Sequence, residues 1–262
     1  QNANVKNTAI GGLAGDAITT GASNTLVGYM AGSSGTTADG TPAFNNNTMV
    51  GHQAGRLATE GGQNTFIGAF SGDAVVTGDH NTCVGYATGN ALTSGPGNVL
   101  MGYKAGEAMT TGSYNVAIGF GAADALAGNA SDNIAIGANA LGGEDLAQFN
   151  IAIGRNALLV QNDTAAVNLA IGYTAGTAIS SGTKNVLIGH EAGSTLATNG
   201  NCTAVGYNAL KTTTAANNTA IGTNALVTLA AGDANTVVGS NAMFKANGGE
   251  AANTAVGHHA FF

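Results

Sequence analysis

The sequence predicts an all-β fold, a parallel β-solenoid of about fifteen coils of about 17 residues each, and three observations lead to it. The pattern Asn-Thr-Ala-Ile-Gly returns at a nearly fixed interval along the 262 residues, and a fixed period of this kind is typical of solenoids. Each copy carries β-branched or aliphatic residues at alternate positions before its Gly, which favours a short strand. Each copy is also shorter than the roughly 33 residues of a two-helix repeat, and 42 Gly would weaken helices.

The repeat runs through the chain, so residues 1–262 are predicted to form a single solenoid domain. Successive copies begin 16 to 18 residues apart, with one step of 23 residues after Asn24. The longer copy holds an insertion at about residues 33–46, which includes Pro42 and Phe44. Loops on a rigid scaffold often carry binding specificity, and we interpret this insertion as a protomer contact, a binding loop or a simple spacer.

Each copy is predicted to contain a strand, a Gly corner, a second short strand and a turn. Gly occupies the fourth place after the opening residue in every copy, as at Gly11 and Gly28, which indicates positive φ or a corner too narrow for Cβ. Ala follows three places later in nearly all copies, as expected of an interior that admits one methyl group. A second apolar patch such as Ala108-Met109 comes next and usually ends at another Gly.

The residue that opens the copies is predicted to form a structural Asn ladder, in which each side-chain amide bonds its neighbours above and below. Stacked coils place equivalent residues about 4.8 Å apart, and such bonds satisfy a buried polar column. Cys202 interrupts the ladder, and Asn201 lies beside it as a substitute. The predicted members are Asn7, Asn24, Asn47, Asn64, Asn81, Asn98, Asn115, Asn133, Asn150, Asn168, Asn185, Asn218, Asn235 and Asn253.

The middle position of the first strand is apolar throughout, although a solitary solenoid would place polar residues on its outer surface. If the β-branched neighbours face inward, this column lies outside and requires burial against another chain. We therefore predict a homo-oligomer, a trimer, with this column near its axis. The alternatives are a rod wide enough to bury both faces, or a shifted inward and outward assignment. The predicted interface residues are Leu26, Met49, Phe66, Cys83, Leu100, Leu187 and Val237.

An aromatic column follows the Gly corner and has two interpretations. Its tyrosines could stack sugars of a surface glycan, or they could pack against a neighbouring protomer, where Tyr contributes large contact area. Phe120, His52, His190 and His258 share the column. Its tyrosines are Tyr29, Tyr86, Tyr103, Tyr173 and Tyr207.

Composition argues against several other classes of protein. The net charge of −7 and the scattered Lys and Arg disfavour nucleic-acid binding, and no apolar run approaches the roughly 20 residues of a membrane span. Cys83 and Cys202 lie seven repeats apart, about 34 Å along a rod, which is too far for a disulfide. Isolated carboxylates and one adjacent pair, His258-His259, predict neither catalysis nor a metal site or other cofactor.

The repeats Asn7-Thr8-Ala9-Ile10-Gly11 and Asn133-Ile134-Ala135-Ile136-Gly137 resemble the head repeats of YadA-type trimeric autotransporter adhesins, and similar runs in bacteriophage tail-fibre proteins. The likeness covers nearly the whole chain, although the period here is longer than in those heads. The resemblance implies a left-handed parallel β-roll, a homotrimer, and a stiff stalk or adhesive head on a cell surface or virion.

The sequence thus predicts a non-enzymatic, structural extracellular fibre that assembles with copies of itself. The chain ends ten residues into a copy and begins six residues before one, so either head-to-tail polymerisation or excision from a longer fibre would explain its ends. The absence of a signal-peptide pattern at residues 1–6 is compatible with a cytoplasmic, a processed or an excerpted chain. An adhesin or tail-fibre segment that recognises surface glycans is the main alternative. Ice binding by the Thr-rich second segment is a weaker one, because those Thr positions are irregular.

Overall fold

The structure, a computed structural model, describes residues 6–19, 21–35, 44–74, 76–143, 148–162, 167–249 and 251–261. The chain divides into two compact units, Gln1–Asp132 and Asn133–Phe262. Both units are built from the same coil, and each is described by itself below. The described residues form strands, turns and bends without an α-helix, which confirms the predicted all-β parallel solenoid.

In the first unit, a three-residue strand recurs once in each coil. Consecutive strands pair in parallel and without offset, so that Thr25 lies opposite Thr48 and Leu26 opposite Met49. This pairing follows from the sequence period, because equivalent residues return at the same place in each coil. The strands are β1 (Thr8–Ile10), β2 (Thr25–Val27), β3 (Thr48–Val50), β4 (Thr65–Ile67), β5 (Thr82–Val84), β6 (Val99–Met101) and β7 (Val116–Ile118).

The second unit continues the pattern and adds a second, smaller sheet. Its main strands are β8 (Ile134–Ile136), β9 (Ile151–Ile153), β10 (Leu169–Ile171), β11 (Val186–Ile188), β12 (Thr203–Val205), β14 (Thr219–Ile221), β16 (Thr236–Val238) and β18 (Thr254–Val256). The smaller sheet contains β13 (Thr212–Thr213), β15 (Thr228–Ala231) and β17 (Lys245–Gly249), again in parallel. Register shifts between β15 and β17 at Leu229 and Ala231.

The middle residue of every main strand after β1 is buried inside the coil, which corrects the predicted interface. We call this set the inner column. Its members that were predicted to contact another protomer are all fully buried within their own chain: Leu26, Met49, Phe66, Cys83, Leu100, Leu187 and Val237. The first and third residues of the strands are instead half-buried or exposed, and we call their surface the outer face. The inward and outward assignment was therefore reversed.

The size of an inner-column side chain is related to the size of the side chain six places further along the same coil. Most of the large inner residues are followed by Gly, since a Cβ on Gly72 would lie 2.6 Å from the Phe66 ring and one on Gly32 would lie 2.7 Å from Leu26. Four of the small inner residues, Ala135, Ala152, Ala204 and Ala220, are followed by Leu, as in the buried pair Ala135 and Leu141. This compensation within one coil keeps the interior close-packed.

The corner after each main strand requires Gly. The φ angles there lie between 127° and 144°, a region that residues with a Cβ rarely adopt. A Cβ on Gly222 would also lie 2.6 Å from the carbonyl oxygen of Gly239 in the next coil. Positive φ and close stacking of coils therefore act together, and the predicted Gly corner is confirmed.

The second strand predicted for every copy is mostly absent from the described residues. Turns and bends occupy this segment up to β12, and strands appear there at β13, β15 and β17. A left-handed residue two places after the corner Gly occurs both in coils without a second strand, such as Leu13 at φ 59°, and in coils with one, such as Asn208 at φ 56°. Thr and apolar residues in this segment suggested a strand in every copy, but only three of the described segments pair as strands.

The insertion at residues 33–46 lies partly outside the described residues, which omit 36–43 and therefore Pro42. Its end is anchored in the core, because Phe44 is fully buried and its carbonyl oxygen accepts a hydrogen bond from Asn24 Nδ2 at 3.0 Å. Asn45 Oδ1 accepts a hydrogen bond from the Ala22 backbone N–H at 2.7 Å. This end of the insertion thus belongs to the solenoid wall.

Candidate assembly surface

The Asn ladder works mainly between side chain and backbone. Asn64 shows the pattern: its Oδ1 accepts the backbone N–H of Asn81 at 2.8 Å, and its Nδ2 donates to the Gly78 carbonyl oxygen at 3.0 Å. Both partners belong to the following coil and flank its turn, where His80 has a left-handed backbone with φ 62°. Each amide therefore supplies the hydrogen bonds that this curved backbone cannot make with its neighbour.

Direct amide-to-amide bonds, which the sequence predicted along the whole ladder, occur at some positions. Asn98 Nδ2 donates to Asn81 Oδ1 at 3.1 Å, and Asn235 Nδ2 donates to Asn218 Oδ1 at 3.1 Å. The predicted ladder members from Asn24 to Asn235 are all buried, whereas Asn7 and Asn253, at the ends of the ladder, are half-buried. The ladder therefore stabilises the solenoid and presents little surface to a ligand.

Cys202 takes the place of an Asn in the ladder. Its backbone N–H donates to Asn185 Oδ1 at 2.9 Å, as an Asn there would do. Its thiol donates to the Ala215 carbonyl oxygen at 3.5 Å, and burial raises the pKa of the thiol. The Cys202 thiol thus replaces part of the amide. Asn201 instead has a left-handed backbone with φ 58° and an exposed side chain.

The outer face is apolar in both units. The third residue of every main strand is Ile, Val or Met, and several of them are exposed, including Ile67, Met101 and Ile221. The first residue is Thr in β1 to β5, aliphatic in β6 to β11, and Thr again in β12, β14, β16 and β18. An aliphatic strip that repeats with every coil is therefore directed away from the core.

Two edges border the outer face. We define the N-side edge as the residues two places before each main strand and the C-side edge as those two places after it. The N-side edge includes the exposed residues Tyr114, Phe149 and Val167. The C-side edge carries the aromatic column predicted from the sequence. Most of the large apolar side chains that are exposed lie on the outer face and these two edges.

The aromatic column forms one stack in each unit. Neighbouring ring centroids are 5.0 to 5.7 Å apart in the first stack and 5.1 Å apart in the second. The sequence did not include Phe70, which lies one position beyond the edge where the edge residue itself is Ala69. The first stack comprises Tyr29, His52, Phe70, Tyr86, Tyr103 and Phe120, and the second comprises Tyr173, His190 and Tyr207.

Most neighbouring rings in the stacks lie face to face, although Phe70 meets His52 and Tyr86 edge to face, with interplanar angles of 68° and 80°. Tyr86 and Tyr103 are inclined by 10°, and Tyr103 and Phe120 by 11°. His190 lies between Tyr173 and Tyr207, with 24° between neighbouring planes. A sugar needs a free ring face for stacking, whereas Tyr103 and His190 each lie between two near-parallel rings. The column therefore offers rigid apolar edges.

A groove of about 380 Å³ lies along the N-side edge of the second unit. Its apolar walls come from Phe149, Ile151, Val167, Leu169 and Val186, and Lys184 stands among them. Asn168 and Asn185 of the ladder lie at its base. The groove thus spans the start of three consecutive strands, β9 to β11.

The carboxylates considered in the sequence are dispersed. Asp73 pairs with Arg56 at 2.9 Å, Glu107 pairs with Lys104 at 3.1 Å, and Glu191 pairs with Lys211. Burial raises the pKa of Asp124, while hydrogen bonds from its own backbone and that of Ala125 act in the opposite direction. The pairs Arg56–Asp73 and Lys211–Glu191 link neighbouring coils, whereas Lys104–Glu107 lies within one coil.

Within the described ranges, no group of three or more His, Cys, Asp or Glu side chains could hold a metal ion. His258 and His259 lie 4.0 Å apart by ring centroid. A search of the same residues for a helix long and apolar enough to cross a bilayer found none.

Comparison of the chain with protein-family models, with curated proteins and with solved structures found no match.

Proposed function

We propose that the chain is a structural fibre subunit that associates with copies of itself through its outer face. The exposed aliphatic third residues of the strands carry this proposal. A monomeric protein rarely leaves a long apolar strip in water, and such a strip is typical of a surface that another chain covers. The sequence argument for an oligomer therefore moves from the buried inner column to the outer face.

The repeat itself favours a second copy as the partner. The outer face presents similar side chains once per coil, so a complementary surface must repeat with the same spacing. Another solenoid of this sequence has that spacing along its whole length. A homotrimer on a cell surface or virion agrees with the resemblance of the repeats to adhesin heads and tail fibres, and stiffness in such a fibre would come from the parallel strands and the Asn ladder.

Glycan recognition by the tyrosines has less support than self-association. The faces of Tyr86 and Tyr103 are directed towards neighbouring rings in their stack. Ice binding would require the outer face to remain open to water, whereas assembly would cover it. We therefore expect purified, assembled protein to show no thermal hysteresis.

Light scattering coupled to size-exclusion chromatography tests self-association directly. The wild-type chain should elute at a multiple of its 25.4 kDa mass. Ile171→Lys places a charge on the outer face and should shift the population towards the monomer, while Ser181→Lys, at an exposed turn, should not. Circular dichroism of both variants checks that the fold is kept. A wild-type chain that remains monomeric at all concentrations would refute the proposal.

A further inference from the structure

We infer that copies of this chain lie parallel and in axial register, with the N-side edge of one protomer against the C-side edge of the next. The inference deepens the proposed function and depends on it. Its specific claim is that the groove beside Val167 receives Tyr173 of the neighbouring copy.

The position of the groove supports this pairing. It is centred on Val167, which precedes β10 by two residues, and it is open on the edge of the outer face. Tyr173 follows the same strand by two residues, on the opposite edge, and is 45% exposed. A rotation about an axis parallel to the solenoid keeps every residue at its own level, so it brings the Tyr173 of one copy beside the groove of another.

The neighbouring level in the second unit is complementary under the same rotation. Phe149 and Arg155 flank β9 on opposite edges, and both side chains are exposed. A guanidinium beside an aromatic ring gains a cation–π interaction. In register, Arg155 of one copy meets Phe149 of the next, directly adjacent to the contact between Val167 and Tyr173.

The first unit gives an independent example. Tyr114 and Phe120 flank β7 on opposite edges, and they are 63% and 60% exposed. The same relation brings these two rings together, and aromatic pairs of this kind stabilise interfaces beyond the area that they bury. His80 and Tyr86 stand in the same relation around β5.

Antiparallel packing does not reproduce these contacts. A two-fold axis perpendicular to the solenoid places like edges together, so Val167 would meet the N-side edge of its partner. It would also place a strand beside the same strand of the partner at one level only. At every other level it would place strands from different coils side by side. Only the parallel, in-register arrangement pairs Phe149 with Arg155 and Val167 with Tyr173 at the same time. Rigid aromatic stacks on the C-side edge would keep these contacts in place.

Disulfide cross-linking of the full chain tests the inference. The variant V167C/Y173C should form reducible multimers after mild oxidation, because each introduced thiol faces the other type on the next copy. A disulfide within one chain is excluded, since the two positions are separated by a strand segment of roughly 13 Å, beyond the roughly 7 Å between Cα atoms that a disulfide tolerates. The native thiols, Cys83 and Cys202, are buried, so the wild type serves as the uncross-linked control.

Two matched variants examine register and direction. V167C/Y207C displaces one thiol by two strands and should cross-link at most a tenth as much as V167C/Y173C. V167C alone should remain unlinked in a parallel assembly, whereas efficient dimer formation would show that like edges meet. Either that dimer or an unlinked V167C/Y173C in an assembly verified by light scattering would overturn the inference. A monomeric wild type in the light-scattering experiment would instead remove the proposed function and the inference together.

Discussion

Replacing one ladder residue, Asn64→Ala, should open its coil locally. The substitution removes the partner of the Asn81 backbone N–H and of the Gly78 carbonyl oxygen, which are hydrogen-bonded to Asn64 at 2.8 and 3.0 Å. Asn64 and Asn81 are buried. Leaving a buried polar group without a partner costs about 1 to 3 kcal/mol, so two such groups give about 2 to 6 kcal/mol.

Hydrogen–deuterium exchange of the Asn81 amide measures this cost more directly than global unfolding, because a repeat protein can open in parts. Since each 1.4 kcal/mol is a factor of ten, the lower limit predicts exchange faster by about 30-fold. The exposed Asn129→Ala provides the matched control and should leave exchange at Asn81 within about twofold. If the two variants gave the same exchange rate at Asn81, the ladder would not have the stabilising role described above.

Four further predictions concern the interior. Cys202→Asn should raise stability by about 1 kcal/mol in denaturant unfolding, because it restores the amide hydrogen bonds of the ladder. Gly222→Ala should lower it by at least 1 to 3 kcal/mol, since its φ is 135° and its Cβ would meet the next coil. Ala135→Leu should cost about 1 to 3 kcal/mol, and adding Leu141→Gly should recover most of this in a double-mutant cycle. Burial raises the pKa of Cys83 to about 12, so the unfolded thiol ionises first. Stability should therefore fall as pH rises from about 9 towards 12, and the difference in stability between the wild type and Cys83→Ala should change over the same range.

The sequence was sufficient for the coil and its period, but it did not decide which side of the strand faces inward. Three-residue strands such as Val99–Met101 are apolar at every position, so alternation of polar and apolar residues could not be used. A useful relation is that most large inner residues are followed six places later by Gly, as with Phe66 and Gly72, whereas several small ones are followed by Leu, as with Ala135 and Leu141. When the repeats are aligned, this relation between the two side-chain sizes indicates that the middle strand residue lies in the core.

The aromatic column was predicted as a column, yet its stacked geometry and the place of Phe70 depended on the path of the chain after the corner. The groove beside Val167 had no signal in the repeat pattern, because the residue before the opening Asn varies from copy to copy. Its walls combine residues from three coils that are close in space and 17 or 18 positions apart in sequence. The edges of the outer face are formed by residues of several stacked coils, so no single repeat shows them.

The direction of the Asn bonds also bears on how the fold is made. Most ladder amides bond the backbone of the coil that follows them in the chain, as Asn64 does, so a finished coil presents a fixed donor and acceptor to the segment that leaves the ribosome next. The new segment closes its turn on this template and then exposes its own amide. Folding can thus advance coil by coil from the N-terminal side during synthesis, with short contacts in sequence at every step, and a growing chain need not wait for its distant end.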